Sequence, residues 1–344
     1  LLFNAIKRQI DNSVRPFTVF YDDYKNNRRY ANSEIKFLVV RHGRYKPRRY
    51  DIILDWIAAN LPEIRPYFEL HQLPCRITDW SKYRLHLPWL QDPVQQWSMR
   101  AYNQACRISR QCDALNIPVI NRVENLVNAS KSNGASIIGS TGIRTPRIVK
   151  ITDFENFKKD LGGLELPFII RDDWGHQGTM LLIENLRQLD NISLKEFSHP
   201  VAIEFINTQS NDGLYRKYRF VVAGDIGIPL SMHVRKIWEV RGSQSEKSEA
   251  LFNEEINYLS QPDPNHDALL KACQVLKLDF VAFDYSYDQD GKLTVWEANP
   301  YPYLHISRKR EHRKLATEKT LAAITRMHLK KAGLPINPVL EKIL

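Results

Sequence analysis

Leu278-Asp-Phe-Val-Ala-Phe-Asp284-Tyr-Ser-Tyr-Asp288-Gln-Asp-Gly291-Lys-Leu-Thr-Val-Trp-Glu297-Ala-Asn299-Pro300 reads as two strands joined by a turn. Phe280 to Tyr285 is a run of strand formers, Asp288 to Gly291 is a turn signal of the Asp-Gly kind, and Leu293 to Glu297 returns. Side chains on a strand alternate, so Glu297 and Asn299 face the same way and converge with Asp284 on the neighbouring strand. Two carboxylates and an amide oxygen make a hard-oxygen cluster of the kind Mg2+ takes. The plain alternative is a strand pair with polar residues turned to solvent.

The rest of the chain sets limits. Its 344 residues are enough for two or three domains, and no apolar run approaches the length of a membrane span. A net charge of +10 and a pI near 9.3 favour anionic partners without naming one. Cys75, Cys106, Cys112 and Cys273 have no CxxC spacing and read as thiols in a reducing compartment, with the cytoplasm expected. The chain opens on Leu1 rather than Met, so the native start is expected upstream or to have been removed.

Up to about residue 120 the pattern is α/β. Ile35 to Val40 is a short buried-type strand, Tyr50 to Leu61 has helical spacing, Leu85 to Leu90 is a second strand, Gln95 to Leu115 is helical, and Ile117 to Ile120 is a further short strand. After the first strand Arg41, His42, Arg44, Lys46, Arg48 and Arg49 form a basic cluster interleaved with Tyr45 and Tyr50. A loop at a strand's carboxyl end is a usual ligand site in α/β sheets, but a solvated basic loop is the favoured reading.

Downstream, Leu166-Pro-Phe-Ile-Ile-Arg171-Asp-Asp-Trp-Gly175-His-Gln-Gly178-Thr-Met-Leu-Leu-Ile183 has the shape strand, glycine loop, strand. Glycines let backbone N–H groups approach phosphate oxygens, and such a loop can fold over them. Tyr218 to Asp225 and Ile228 to Ile237 form a second hairpin pattern, and Ser243 to Ser248 a polar loop. His266 to Leu276 is helical, and Ser307 to Lys314 is a basic run, read as a solvated face, leading into a helix that ends near Lys331.

Taken with the order Asn121, Lys131, Gly142-Ile-Arg-Thr-Pro146 and Val201-Ala-Ile-Glu204-Phe-Ile-Asn207, the Asp284…Glu297-Ala-Asn299 run resembles the metal-binding signature of the ATP-grasp superfamily, over roughly residues 115 to 305. The resemblance implies an N-terminal open α/β domain over residues 1–120, followed by an ATP-grasp fold of two α+β subdomains. These are a lid over 121–205 and a metal-bearing subdomain with a C-terminal helix over 206–344. It further implies that Asp284, Glu297 and Asn299 hold Mg2+, or Mn2+, on ATP. Lys131, Arg171, Gly175 and Gly178 then face the phosphates, while Glu204, Phe205 and Ile206 take the adenine. Arg219 and Arg235 point at the transferred phosphate or the substrate carboxylate. Relatives usually carry Lys at the place of Arg171, which keeps the charge and changes the fork. His176 departs from the small residues common in that loop and is read as a surface residue. Asp212 is the nearest acid for a ribose contact.

The activity implied is an ATP-dependent carboxylate-amine ligase working through an acyl phosphate, with a small-molecule or peptide carboxylate and an amine as partners. A kinase acting on a hydroxyl, or a non-catalytic nucleotide- or nucleic-acid-binding module, is the alternative. Nucleic acid and membrane are not expected as partners, and a homo-oligomer is compatible with the sequence.

Overall fold

The computed structural model describes residues 2–44, 48–175 and 178–344. Lys46 and Tyr45 of the basic cluster, and His176 of the glycine loop, lie outside the described residues. Contacts divide the chain into two units, one of residues 1–126, 301–309 and 317–344, the other of residues 127–300 and 310–316.

The first unit opens on a long helix, α1 (Leu2–Arg29), which the sequence reading left unassigned. Then come β1 (Lys36–Arg41), α2 (Asp51–Asn60), β2 (Phe68–Gln72), β3 (Tyr83–Trp89), α3 (Val94–Trp97) and α4 (Met99–Ala114). The three strands form a parallel sheet in the order β2-β1-β3. Central β1 is buried along its whole length, as a strand covered on both faces must be. The segment 117–120 makes a single bridge, Val119 with His86, instead of a strand. Pro118 brings no N–H to a ladder, and Asn121 turns the chain away at φ 52°. Arg41 is buried and held by Asp23 of α1 and, at 2.5 Å, by Asp51 of α2, so the first cation of the basic cluster is part of the packing.

The second unit is built on two four-stranded sheets. After α5 (Lys131–Gly139) the chain gives β4 (Ile148–Lys150), α6 (Phe154–Asp160), β5 (Phe168–Asp172), β6 (Met180–Ile183) and β7 (Pro200–Glu204), paired antiparallel in the order β4-β7-β5-β6. One face of this sheet buries Phe168, Ile170 and Ala202 against Phe157 of α6. Next come β8 (Tyr215–Ala223), β9 (Ile226–Arg235), α7 (Glu249–Ser260), α8 (His266–Val275), β10 (Phe280–Tyr287) and β11 (Leu293–Asn299), in a sheet ordered β11-β10-β8-β9. The hairpin from which the sequence reading began is therefore present, with β10 as an inner strand. Two helices close the chain, α9 (Glu311–Lys331) and α10 (Pro338–Ile343).

The basic run 307–314 departs from the solvated face expected of it. Arg310, His312 and Arg313 converge on the buried Glu255 of α7, at 3.0 Å, 3.2 Å and 2.5 Å. A carboxylate on the inner side of α7 is expensive to bury alone, and it recruits the guanidiniums of Arg310 and Arg313, with His312 beside them, from around the start of α9.

Candidate active site

Strand register decides which side chains share a face. Asp284 on β10 stands opposite Glu297 on β11, and Ala282 opposite Asn299, so Asp284, Glu297 and Asn299 all project from the same side of the sheet. A bulge makes this possible. The register shifts between Asp284 and Tyr285, whose partner is Val295, and Trp296 is the extra residue. The bulge lets Val295 bury with Tyr285 on the far face while Glu297 returns to the face of Asp284, the re-aiming that bulges provide.

The same face continues over the next strands. Asp284 pairs with Arg219 on β8, and alternation adds Lys217 and Tyr215. These three stand opposite Ser231, His233 and Arg235 of β9. An acidic column on β10 and β11 thus borders a cationic one on β8. They meet at Asp284, which is almost fully buried and receives Arg219 Nε at 2.7 Å, Arg219 Nη2 at 2.8 Å and Lys217 Nζ at 3.2 Å. Burial works to raise the Asp284 carboxyl, and Arg219 and Lys217 outweigh it, so it is held below the ordinary aspartate range. Asp284 in turn lifts the Arg219 guanidinium well above its usual value.

Facing this sheet is a cleft with a volume of about 470 Å³. Lys131, Arg171, Gly178, Glu204, Phe205, Ile206, Asp284 and Glu297 all line it, which brings together most of the residues singled out from the sequence. Arg219, Asn299 and Gly175 are not among the described residues lining it. Arg219 and Asn299 share the face of Asp284, and Gly175 is joined to Lys131. Arg235 sits apart at the end of β9, where it donates to the Glu239 carbonyl at 2.8 Å. That bond folds the segment after β9 back on itself.

The glycine loop is tied to the start of α5. Lys131 is buried, and its ammonium donates to the carbonyls of Gly175 at 2.6 Å and Asp173 at 3.2 Å. The Asp173 carboxylate accepts from the backbone N–H and the hydroxyl of Ser132, both at 2.7 Å. Gly175 has a φ of 84°, a region side-chain-bearing residues seldom enter, which explains a glycine there. On the neighbouring strand, burial pulls the Arg171 guanidinium below its ordinary value, and Glu297 across the cleft works the other way.

Glu204 ends β7 with its carboxylate turned back on the chain before β4. It accepts the Arg147 N–H at 2.9 Å and has Arg144 at 3.6 Å. Beyond it Phe205 meets Trp238 edge to face, with centroids 5.9 Å apart. With Met180, Ile203 and Ile206 these rings give the cleft an apolar end, of a kind a flat heterocycle fills. Asp212 is engaged elsewhere, in a two-pronged pair with Arg216 at 3.0 Å and 2.7 Å that holds its carboxyl down at about 2.

Lys217 and Trp238 are among the cleft residues not singled out from the sequence. Lys217 had a signal, its spacing of two from Arg219 on one strand. Trp238 had none, since it lies in a segment without periodicity that the fold brings back over β9; Arg241 and Gly242, which open the polar loop, line the cleft too. Gly242 in that segment rests on the ring of His233, where a Cβ would come within 2.9 Å. Burial, with Arg313, Lys217 and Arg219 around it, pushes the His233 imidazole down to about 4, so it is neutral near pH 7.

The donor set fits a hard divalent cation. Among the described residues no group of three His, Cys, Asp or Glu side chains is placed to hold a metal. Here, though, the third donor would be the amide of Asn299, and an ionised carboxylate has lone pairs enough to serve Arg219 and a cation together.

No family model matches this sequence, and no curated protein matches it. Solved structures do. The ATP-grasp ligase PsnB complexed with a minimal precursor is 13% identical, with a TM-score of 0.53 over 86% of this chain and 100% of that one. A D-alanine–D-alanine ligase from Bacillus anthracis complexed with ATP is 14% identical, with a TM-score of 0.54 over 90% of this chain and 99% of that one. The chain has the ATP-grasp fold. A third ATP-grasp-like match is the macrocyclase MdnC from Microcystis aeruginosa MRC bound with the precursor peptide MdnA, 12% identical, with a TM-score of 0.54 over 86% of this chain and 100% of that one. The ATP-grasp resemblance read from Asp284, Glu297 and Asn299 therefore agrees with likeness over most of the chain.

Proposed function

We propose that the protein is an ATP-dependent carboxylate-amine ligase. The observation that supports this reading best is the single sheet face carrying Asp284, Glu297 and Asn299 beside Lys217 and Arg219, facing a cleft with an apolar end at Phe205, Ile206 and Trp238. In this reading 121–205 is the lid subdomain, 206–344 the metal-bearing subdomain, and 1–120 the N-terminal domain. Adenine lies against Phe205 and Ile206 with Glu204 at its edge, and the triphosphate runs toward Glu297.

Hydroxide leaves a carboxylate too poorly for an amine to displace it. Transfer of the γ-phosphoryl group to a carboxylate oxygen breaks the bond to the β-phosphate, frees ADP and makes a mixed anhydride. Attack by the amine on the carbonyl carbon then expels inorganic phosphate, and the ammonium proton leaves to solvent. Alignment and charge neutralisation are what a protein contributes to such a step. Lys131 and Arg171 neutralise phosphate oxygens from the lid side, and the glycine loop keeps water from the anhydride. Arg219, fixed by Asp284, and Lys217 hold the acceptor carboxylate, with Arg235 placed to set the loop that closes over it. Asp284, Glu297 and Asn299 would hold Mg2+ or Mn2+, which when bound would supply charge neutralisation to the polyphosphate. Buried free thiols at Cys106, Cys112 and Cys273 suit a reducing compartment such as the cytoplasm.

The test is ADP release from ATP with pools of carboxylic acids and amines. ADP formation that needs both an acid and an amine is expected. Phosphate appearing in a stable organic product without any amine points to the kinase instead, and no turnover under any pool counts against an enzyme.

A further inference from the structure

Among the described residues, a cluster of exposed aromatic side chains lies far along the sequence from the cleft, on α1. Phe17, Phe20, Tyr21 and Tyr24 are 77%, 63%, 55% and 52% exposed. Their spacing, i, i+3, i+4 and i+7, puts them on one helical stripe, which Val14 extends. The opposite stripe anchors the helix. Val19 and Asp23 are buried, Asp23 holds Arg41, and the Asn27 amide exchanges hydrogen bonds of 2.8 Å and 2.9 Å with the backbone of Leu70 on β2. The helix thus needs only its inner side to pack, and its outer side carries aromatic surface that packing does not explain.

Charge around the stripe is one-sided. Arg15, Lys25, Arg28 and Arg29 are exposed, with Lys25 over the ring of Tyr21 at 4.3 Å and Arg28 over that of Tyr24 at 6.0 Å. Two acids on the described half of the helix are engaged within the fold, Asp22 by Arg48 and Asp23 by Arg41. At ~200 Å² of accessible surface per ring, the four rings leave on the order of 500 Å² uncovered. A self-standing dimer seam takes about 800 Å² from each partner. A second copy would also bring a like-charged rim and a like net charge of +10. Rings flanked by cations, on a helix anchored along its other side, suit a surface with an apolar interior and an anionic face.

We propose that the outer stripe of α1 docks the protein on an anionic lipid bilayer, with Phe17, Phe20, Tyr21 and Tyr24 entering the interface and Lys25 and Arg28 among the phosphates. The proposal does not depend on the ligase reading. Co-sedimentation of the full chain with vesicles of phosphatidylcholine plus phosphatidylserine, and with phosphatidylcholine alone, tests it. Binding to the mixed vesicles only, weakened by added salt, is expected. Phe17→Ser combined with Phe20→Ser is expected to lower that binding by about tenfold while melting like the wild type. Lys25→Glu combined with Arg28→Glu, which keeps the rings, is expected to lower it similarly and stands in if the first variant melts early. Absence of binding to mixed vesicles overturns the proposal, as does binding unchanged in the variant that folds. A concentration-dependent dimer that the Phe variant dissociates, with vesicles ignored, assigns the stripe to a second copy and also overturns it.

Discussion

Asp284 carries two duties that pull in different directions. Its buried carboxylate anchors Arg219 and Lys217, and it is one of the oxygen donors proposed for the metal. Asp284→Asn keeps the shape and removes the charge, leaving two cations without their partner. Because Arg219 retains some contact with solvent, the expected loss of stability is about 2 kcal/mol, read from urea unfolding. Combining it with Arg219→Gln should return part of that loss. The carboxyl lies below its ordinary 3.8, so its stabilising contribution is intact above that pH and fades only below it. Glu297 acts on Arg171 and Arg219 through charge, so its removal is expected to leave the protein folded. Glu297→Ala is expected to abolish ATP turnover with a melting temperature near that of the wild type, and normal turnover in that variant would remove the metal assignment.

At the scale of elements, two clasps carry the consequences. Asp173 fixes the glycine loop to the start of α5 through Ser132, and Lys131 spans the same join. Asp173→Ala should loosen the loop and raise the KM for ATP by about tenfold, on the order of 1.4 kcal/mol, with a smaller change in kcat. The second clasp is Glu255 with Arg310, His312 and Arg313. Glu255→Ala leaves cations converging on an empty place and should destabilise by about 3 kcal/mol in chemical denaturation.

Only part of this was legible in advance. The hairpin of β10 and β11 could be read because alternation and an Asp-Gly turn are local signals, and the glycine loop because glycines between apolar runs are local too. The bulge at Trp296, which aims Glu297, depends on pairing with β10 and leaves no mark in one strand's sequence. The Glu255 clasp joins residues far apart in the chain, so the basic run looked solvated. Helix α1 escaped although its stripe has helical spacing, because Pro16 interrupts the pattern.

At the scale of the whole molecule, protonation offers a global test. His86 and His233 are pushed down to about 4 and His328 to about 3, in each case chiefly by burial, from an ordinary value of 6.5. The unfolded chain therefore binds protons that the folded one refuses between pH 6.5 and 4. Stability should fall as the pH drops through that window, on the order of 2 kcal/mol for each histidine. Melting curves between pH 6.5 and 5, above the carboxylate range, separate this from acid unfolding, and a flat profile there would contradict it. The ATP-grasp fold likewise was legible as a whole, since the order of Lys131, the glycine loop, Glu204 and the Asp284 hairpin in this sequence pointed to it, and solved structures only 12–15% identical share the fold.

The central claim is that the face bearing Asp284, Glu297 and Asn299 receives the polyphosphate of ATP. A crystal structure with Mg2+ and a non-hydrolysable ATP analogue tests it most directly. The expected result is adenine against Phe205 and Ile206, with the metal held by Asp284, Glu297 and Asn299 at the polyphosphate. Polyphosphate lodged away from that face, or a metal held by other residues, would contradict it.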